Sequence, residues 1–111
     1  MPDDVILARA WSELSRGPID EASVRALYAN RGAHRIGVSR YPVGARFRGA
    51  AKAGDCYVLR GVCRYSFAAC SVELHAEQFA ALPAGEYGFE VVGPVPVVLV
   101  RAWQLPDSVP V

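Results

Sequence analysis

From residue 33 onward the chain is a succession of short β-prone runs, each closed by glycine or proline. They are His34–Ser39, Ala45–Gly49, Cys56–Arg60, Val62–Phe67, Ser71–His75, Phe79–Leu82, Tyr87–Val92 and Val97–Trp103. Turn signals roughly every eight to twelve residues are the rhythm of an all-β sandwich or barrel. Pro94 and Pro96 fit only at an edge or ahead of a strand. Val97-Val98-Leu99-Val100 is apolar on both faces, which predicts a deeply covered strand. Arg60-Gly61 suits a tight hairpin. The last eight residues carry two prolines and are expected to run over the surface.

The first 32 residues read differently. Leu7, Ala10, Trp11 and Leu14 recur at helical spacing, predicting a helix over 4–15 with Asp3 and Asp4 at its positive end. Gly17-Pro18 stops it. A second helix is expected at about 21–29, capped by Asp20, with Val24, Leu27 and Tyr28 on one side and Asn30 to Gly32 closing it. The expectation is one domain: an N-terminal helical segment over 1–32 and a β-barrel over 33–111.

At 111 residues with 52% hydrophobic and 21% charged side chains, the chain has enough apolar material for one core and is not disordered. No apolar run is long enough for a membrane helix. Three cysteines, Cys56, Cys63 and Cys70, with neither a zinc-like spacing nor a secretory signal, point to a reduced, cytoplasmic protein. Net charge is +1, so no global field draws in nucleic acid or anionic membrane. Charge is nevertheless segregated. Seven basic residues and no acid lie between Glu21 and Asp55, whereas Glu73, Glu77, Glu86 and Glu90 occupy a stretch without Lys or Arg. The basic tract lacks interleaved aromatics, which argues against a nucleic-acid partner.

Two stretches carry a family resemblance. Gly44 to Gly61 reads GARFRGAAKAGDCYVLRG and is followed by VCRYSF; Leu74 to Gly88 reads LHAEQFAALPAGEYG. Together they resemble the two motifs of the small single-domain cupins, over about residues 35–103. There a glycine, a His-x-His pair and an acid lead into "YVL-x-G", and a later Pro-Ala-Gly turn precedes a third histidine. The resemblance implies a jelly-roll β-barrel, often dimeric. It also implies where this chain departs from the family. The histidines would fall on Ala50, Lys52 and Gly88, and the acid at Gly54, or at Asp55 or Cys56 if the loop slips. Alanine and glycine bring no ligand atom and Lys52 repels a cation, so no metal or other cofactor is expected. His75 precedes the turn and does not replace the missing ligand.

Strand alternation then suggests what fills the centre. If position 50 faces inward, Arg46, Arg48 and Lys52 share its face. Cys56 and Val58 point inward on the next strand, and Gly88, Glu90 and Val92 on the one after Pro83-Ala84-Gly85. Lys52 is the only lysine beside eleven arginines. It is expected either to pair with Glu90 inside the barrel or to reach solvent from a strand end. Phe47, Tyr57, Phe67, Phe79 and Phe89 read as core; Tyr65 and Tyr87 read as packing or as mouth residues able to stack on a ligand.

The favoured reading is a metal-free cupin-like protein binding a small polar or anionic molecule through Arg46, Arg48, Lys52, Cys56 and Glu90, or a homodimeric accessory protein. The alternative is a metal-independent small isomerase or cyclase using Lys52, Glu90 or Cys56 as acid, base or nucleophile. Binding or interaction ranks above catalysis, because no third group is in sight to orient such a site.

Overall fold

The computed structural model describes residues 6–32 and 34–104. The expected caps Asp3 and Asp4 and most of the proline-bearing tail lie outside them. The eight expected β-runs all form strands: β2 (His34–Tyr41), β3 (Arg46–Ala51), β4 (Gly54–Arg60), β5 (Val62–Ser66), β6 (Ser71–His75), β7 (Gln78–Leu82), β8 (Gly85–Val91) and β9 (Val97–Gln104). They follow β1 (Arg9–Ala10) and helix α1 (Glu21–Leu27).

Two antiparallel sheets face each other, a larger one ordered β1-β7-β4-β9-β2 and a smaller one ordered β3-β8-β5-β6. From β2 on, the chain switches sheets at nearly every turn. The exception is the β5–β6 hairpin, closed by the Phe67 amide donating to the Cys70 carbonyl at 2.7 Å. This double-sheet arrangement is a jelly roll. The turn at Gly61 is therefore a corner between sheets, not the hairpin its sequence suggests. Gly61 has φ +85°, and a Cβ there would lie 2.6 Å from the Pro96 carbonyl oxygen. Only glycine meets both demands.

Alternation sorts the side chains into two buried clusters. Between the sheets lie Cys56, Val58, Cys63, Tyr65, Val72, Leu74, Ala80, Leu82, Phe89, Val91, Val97 and Leu99. The outward side of the larger sheet, with Tyr57, Phe79, Val100 and Ala102, is covered by Trp11, Val24 and Tyr28 from the N-terminal segment. Burying both faces of β9 explains its unbroken apolar run.

The expected helix over 4–15 does not form among residues 6–15. Arg9 and Ala10 pair with Phe79 and Gln78 at the edge of β7, and Trp11–Glu13 is a single 3-10 turn. Trp11 explains the difference. Its ring is buried edge-on to Tyr57 and its indole N–H donates to the Gly17 carbonyl at 3.1 Å, while Leu7 and Leu14 stay exposed. One buried anchor plus a strand edge outweighs a weak helical stripe. Helix α1 forms where expected, with the Asp20 carboxylate accepting from the Ser23 amide at 2.7 Å and Gly32 at φ +84° beyond its end.

Candidate functional site

The inward face of β9 runs Val97, Leu99, Arg101, Trp103, from the core toward one mouth of the barrel. A guanidinium can sit there because its cross-strand neighbours are small: Arg101 faces Cys56 on β4 and Gly37 on β2. The guanidinium carbon lies 5.7 Å from the centroid of Tyr65. Its Nε is fully enclosed and has no hydrogen-bond partner. Among the described residues no carboxylate pairs with Arg101. Burial by itself would make the cation easier to deprotonate. The surrounding Tyr65, Cys56 and Tyr87 groups outweigh that effect and raise its pKa, so it stays charged.

Arg101 borders a pocket of about 340 Å³ with Ala50, Ala51, Lys52, Tyr87 and Trp103. Lys52 stands exposed at the rim, in the link after β3. Gly49 makes space for the Tyr87 side chain, whose hydroxyl would be 3.2 Å from any Cβ at that position. Deeper in, the Cys56 thiol meets the Tyr65 hydroxyl at 3.6 Å. Burial pushes the Cys56 pKa up to about 11, although Tyr65 and Arg101 pull the other way. The thiol is therefore protonated at neutral pH and is not poised as a nucleophile.

The five residues expected to share one pocket are divided between two places. Lys52 lines the mouth and Cys56 lies beneath it. Arg46, Arg48 and Glu90 sit on the opposite face of the smaller sheet, around a separate hollow. The inward residues of β3 are Phe47, Gly49 and Ala51, and those of β8 are Tyr87, Phe89 and Val91. Phe47 sets this parity: it pairs with Phe89 in register and stacks on it at 5.0 Å. Burying the one large apolar side chain of β3 turns both arginines outward. Lys52 and Glu90 consequently do not meet. Ala51, which precedes Lys52, pairs with Gly85, five residues before Glu90, or about 17 Å along the strand.

Another polar group went unread in the sequence. The Tyr28 hydroxyl lies 2.7 Å from an Asp55 carboxylate oxygen and 2.5 Å from the Tyr57 hydroxyl. Burial, reinforced by both partners, raises the Tyr28 pKa. The knot ties the end of α1 to β4. Its only sequence signal is an acid two residues before a tyrosine at the start of a mostly apolar strand.

Two solved cupin structures share this arrangement. The cupin domain of Cnp3 from Schizosaccharomyces pombe superposes with a TM-score of 0.55 at 15% identity, over 66% of this chain and 53% of that one. A cupin protein from Bacteroides fragilis gives 0.52 at 16% identity, over 69% and 70%. The chain has the cupin fold. The chain spans about half the length of the Cnp3 chain it matches. Acireductone dioxygenase from Bacillus anthracis, with cadmium in its active centre, gives 0.54 at 11% identity, over 92% and 79%. No family model and no curated protein sequence matches the chain. Identities this low establish the fold and nothing of the chemistry.

The residues of this cupin barrel do not fit a metal. Ala50, Lys52 and Gly88 stand where the motif would place histidines, and the Arg101 guanidinium lies beside Cys56 in the interior. His34 packs on the Tyr28 ring and His75 contacts Glu73 at 2.9 Å, on opposite sheets. Among the described residues no three His, Cys, Asp or Glu side chains come together as a metal site. Nor is any described helix long and apolar enough to cross a membrane.

Proposed function

We propose that this cupin barrel binds a small anionic molecule at its mouth without a metal, with Arg101 as the anchor and Lys52 as a second positive charge at the rim. The observation that carries this reading is the enclosed, unpartnered Nε of Arg101 beside the pocket. Arg101 is half-buried and has no carboxylate partner among the described residues, and an entering carboxylate or phosphate supplies a counter-ion with charge-assisted hydrogen bonds. Stacking on Tyr65 orients the guanidinium edge, and Trp103 and Tyr87 give the pocket apolar walls. The split between Lys52 and Glu90 and the protonated Cys56 thiol favour binding over acid-base or nucleophilic catalysis. Three free thiols suit a reducing cytoplasm.

The test is a screen of small carboxylates and phosphates by calorimetry, with Trp103 fluorescence as a second signal. Arg101→Met should remove the binding that Trp103 reports at the mouth, and Lys52→Met should weaken it and reduce its salt dependence. Anion affinity unchanged in Arg101→Met when read from Trp103 would overturn the reading.

A further inference from the structure

The outer face of the smaller sheet carries charges in register. One row crosses it as Arg46, Glu90, Arg64 and Glu73, on β3, β8, β5 and β6. Arg64 contacts Glu73 at 3.1 Å and Glu90 at 3.5 Å, and Glu73 also contacts His75. The two carboxylates are thus engaged on the β5 side of the sheet. Among the described residues Arg46 and Arg48 form no ion pair. The next row reads Arg48, Gly88, Ser66 and Ser71. Gly88 leaves a gap in it: a Cβ there would come no nearer than 3.9 Å to Ser66. The result is a hollow of about 450 Å³ whose rim holds three guanidiniums, one carboxylate and the Ser66 hydroxyl.

We propose that this hollow is a second anion site, independent of the barrel mouth, and that it takes the phosphate or diphosphate group of a small soluble molecule. Guanidinium forks match the oxygens of a phosphate group in pairs, and a multiply charged group draws on more than one fork. Ser66 adds a hydroxyl donor. The missing side chain at Gly88 lets a tetrahedral group settle onto the sheet between Arg48 and Ser66. Glu73, Glu86 and Glu90 interrupt the positive surface, which disfavours a continuous polyanion such as nucleic acid and leaves a discrete anionic group as the fitting occupant.

Titration with pyrophosphate and with inorganic phosphate, followed by amide chemical shifts, tests this. At matched ionic strength, saturable shifts are expected at Arg46–Arg48, Ser66 and Gly88–Glu90, with pyrophosphate binding more tightly. Sodium chloride should not reproduce them. Arg48→Ala should weaken binding about tenfold, the loss of one strong charged contact. Gly88→Leu should weaken it comparably by filling the hollow while keeping every charge. Arg101→Met should leave it unchanged, which separates this site from the mouth. The spectra of each variant report whether its fold is kept. Absence of saturable shifts at millimolar pyrophosphate, or an affinity unchanged from that of the unaltered chain in a folded Arg48→Ala or a folded Gly88→Leu, would overturn the proposal.

Discussion

The Arg101 guanidinium lies over the ring of Tyr65, 5.7 Å from its centroid, and that contact holds an inward-pointing cation against an aromatic face. A cation–π contact of this kind contributes about 0.5–2 kcal/mol, which the partial desolvation of the half-buried guanidinium offsets. Arg101→Met should therefore leave the ligand-free barrel as stable as before or raise its stability by about 1 kcal/mol. Tyr65→Phe should lower it by about 1 kcal/mol, because the hydroxyl that meets Cys56 is lost. Urea unfolding with an unchanged m-value is the measurement. A strongly destabilised Arg101→Met would show that the guanidinium is part of the core's support.

Gly61 and Gly44 make a matched pair for the corners of the barrel. Their φ angles are nearly equal, +85° and +83°. A Cβ at Gly44 meets nothing within 4 Å, whereas at Gly61 it would collide with the Pro96 carbonyl and the Val97 side chain. Gly44→Ala should cost about 1 kcal/mol, from left-handed backbone alone. Gly61→Ala should cost about 3 kcal/mol or more, since the β4–β5 corner must shift away from β9. Thermal denaturation of the two variants side by side decides it; equal losses would mean that the corner yields freely.

The strands were legible because their punctuation is local: glycine and proline mark sheet corners whichever strand lies opposite. Three other features depended on distant partners. Arg9 and Ala10 carry a helical stripe but are recruited by the edge of β7, which lies about 70 residues away in sequence. The inward face of β3 is decided by Phe47 meeting Phe89, and alignment to a histidine motif pointed to the opposite parity. Arg101 was within reach of period-two reasoning, since Val97, Leu99, Arg101 and Trp103 alternate with Val98, Val100 and Ala102. The apolar content of that strand hid the one charge within it. That an arginine there can stay inside also depends on Gly37 and Cys56 flanking it, and no local pattern announces that pairing.

Strand β2 forms one edge of the larger sheet and pairs with β9 along all eight of its residues without a bulge. Among the described residues no strand pairs with its other side, and an open strand edge is a template for pairing. We propose that a second copy of the chain pairs there about a two-fold axis, with the half-exposed Val38 near the contact. Light scattering at tens of micromolar should give the mass of a dimer, and Val38→Lys should shift it toward the monomer. A monomer mass for the unaltered chain would count against the proposal.

The buried thiols and phenols set the behaviour at high pH. Cys56 is pushed up to about 11 by burial, and burial raises Cys63, Tyr28 and Tyr65 as well. In the unfolded chain a thiol ionises near about 8.5. Above that pH the unfolded state binds fewer protons than the folded one, so stability falls as pH rises. The contribution from Cys56 is complete below about 8.5 and drains away toward 11. Thermal midpoints should hence change little from this source through neutrality and decline from about pH 9 upward. Thiol reactivity gives an independent measure. At pH 8 the folded chain should consume close to one equivalent of a disulfide reagent quickly, at the half-buried Cys70, and three after unfolding in urea. Fast native labelling of Cys56, identified by peptide mass, would mean that the interior beside Arg101 opens readily to solvent, and the alkaline decline should then vanish with it.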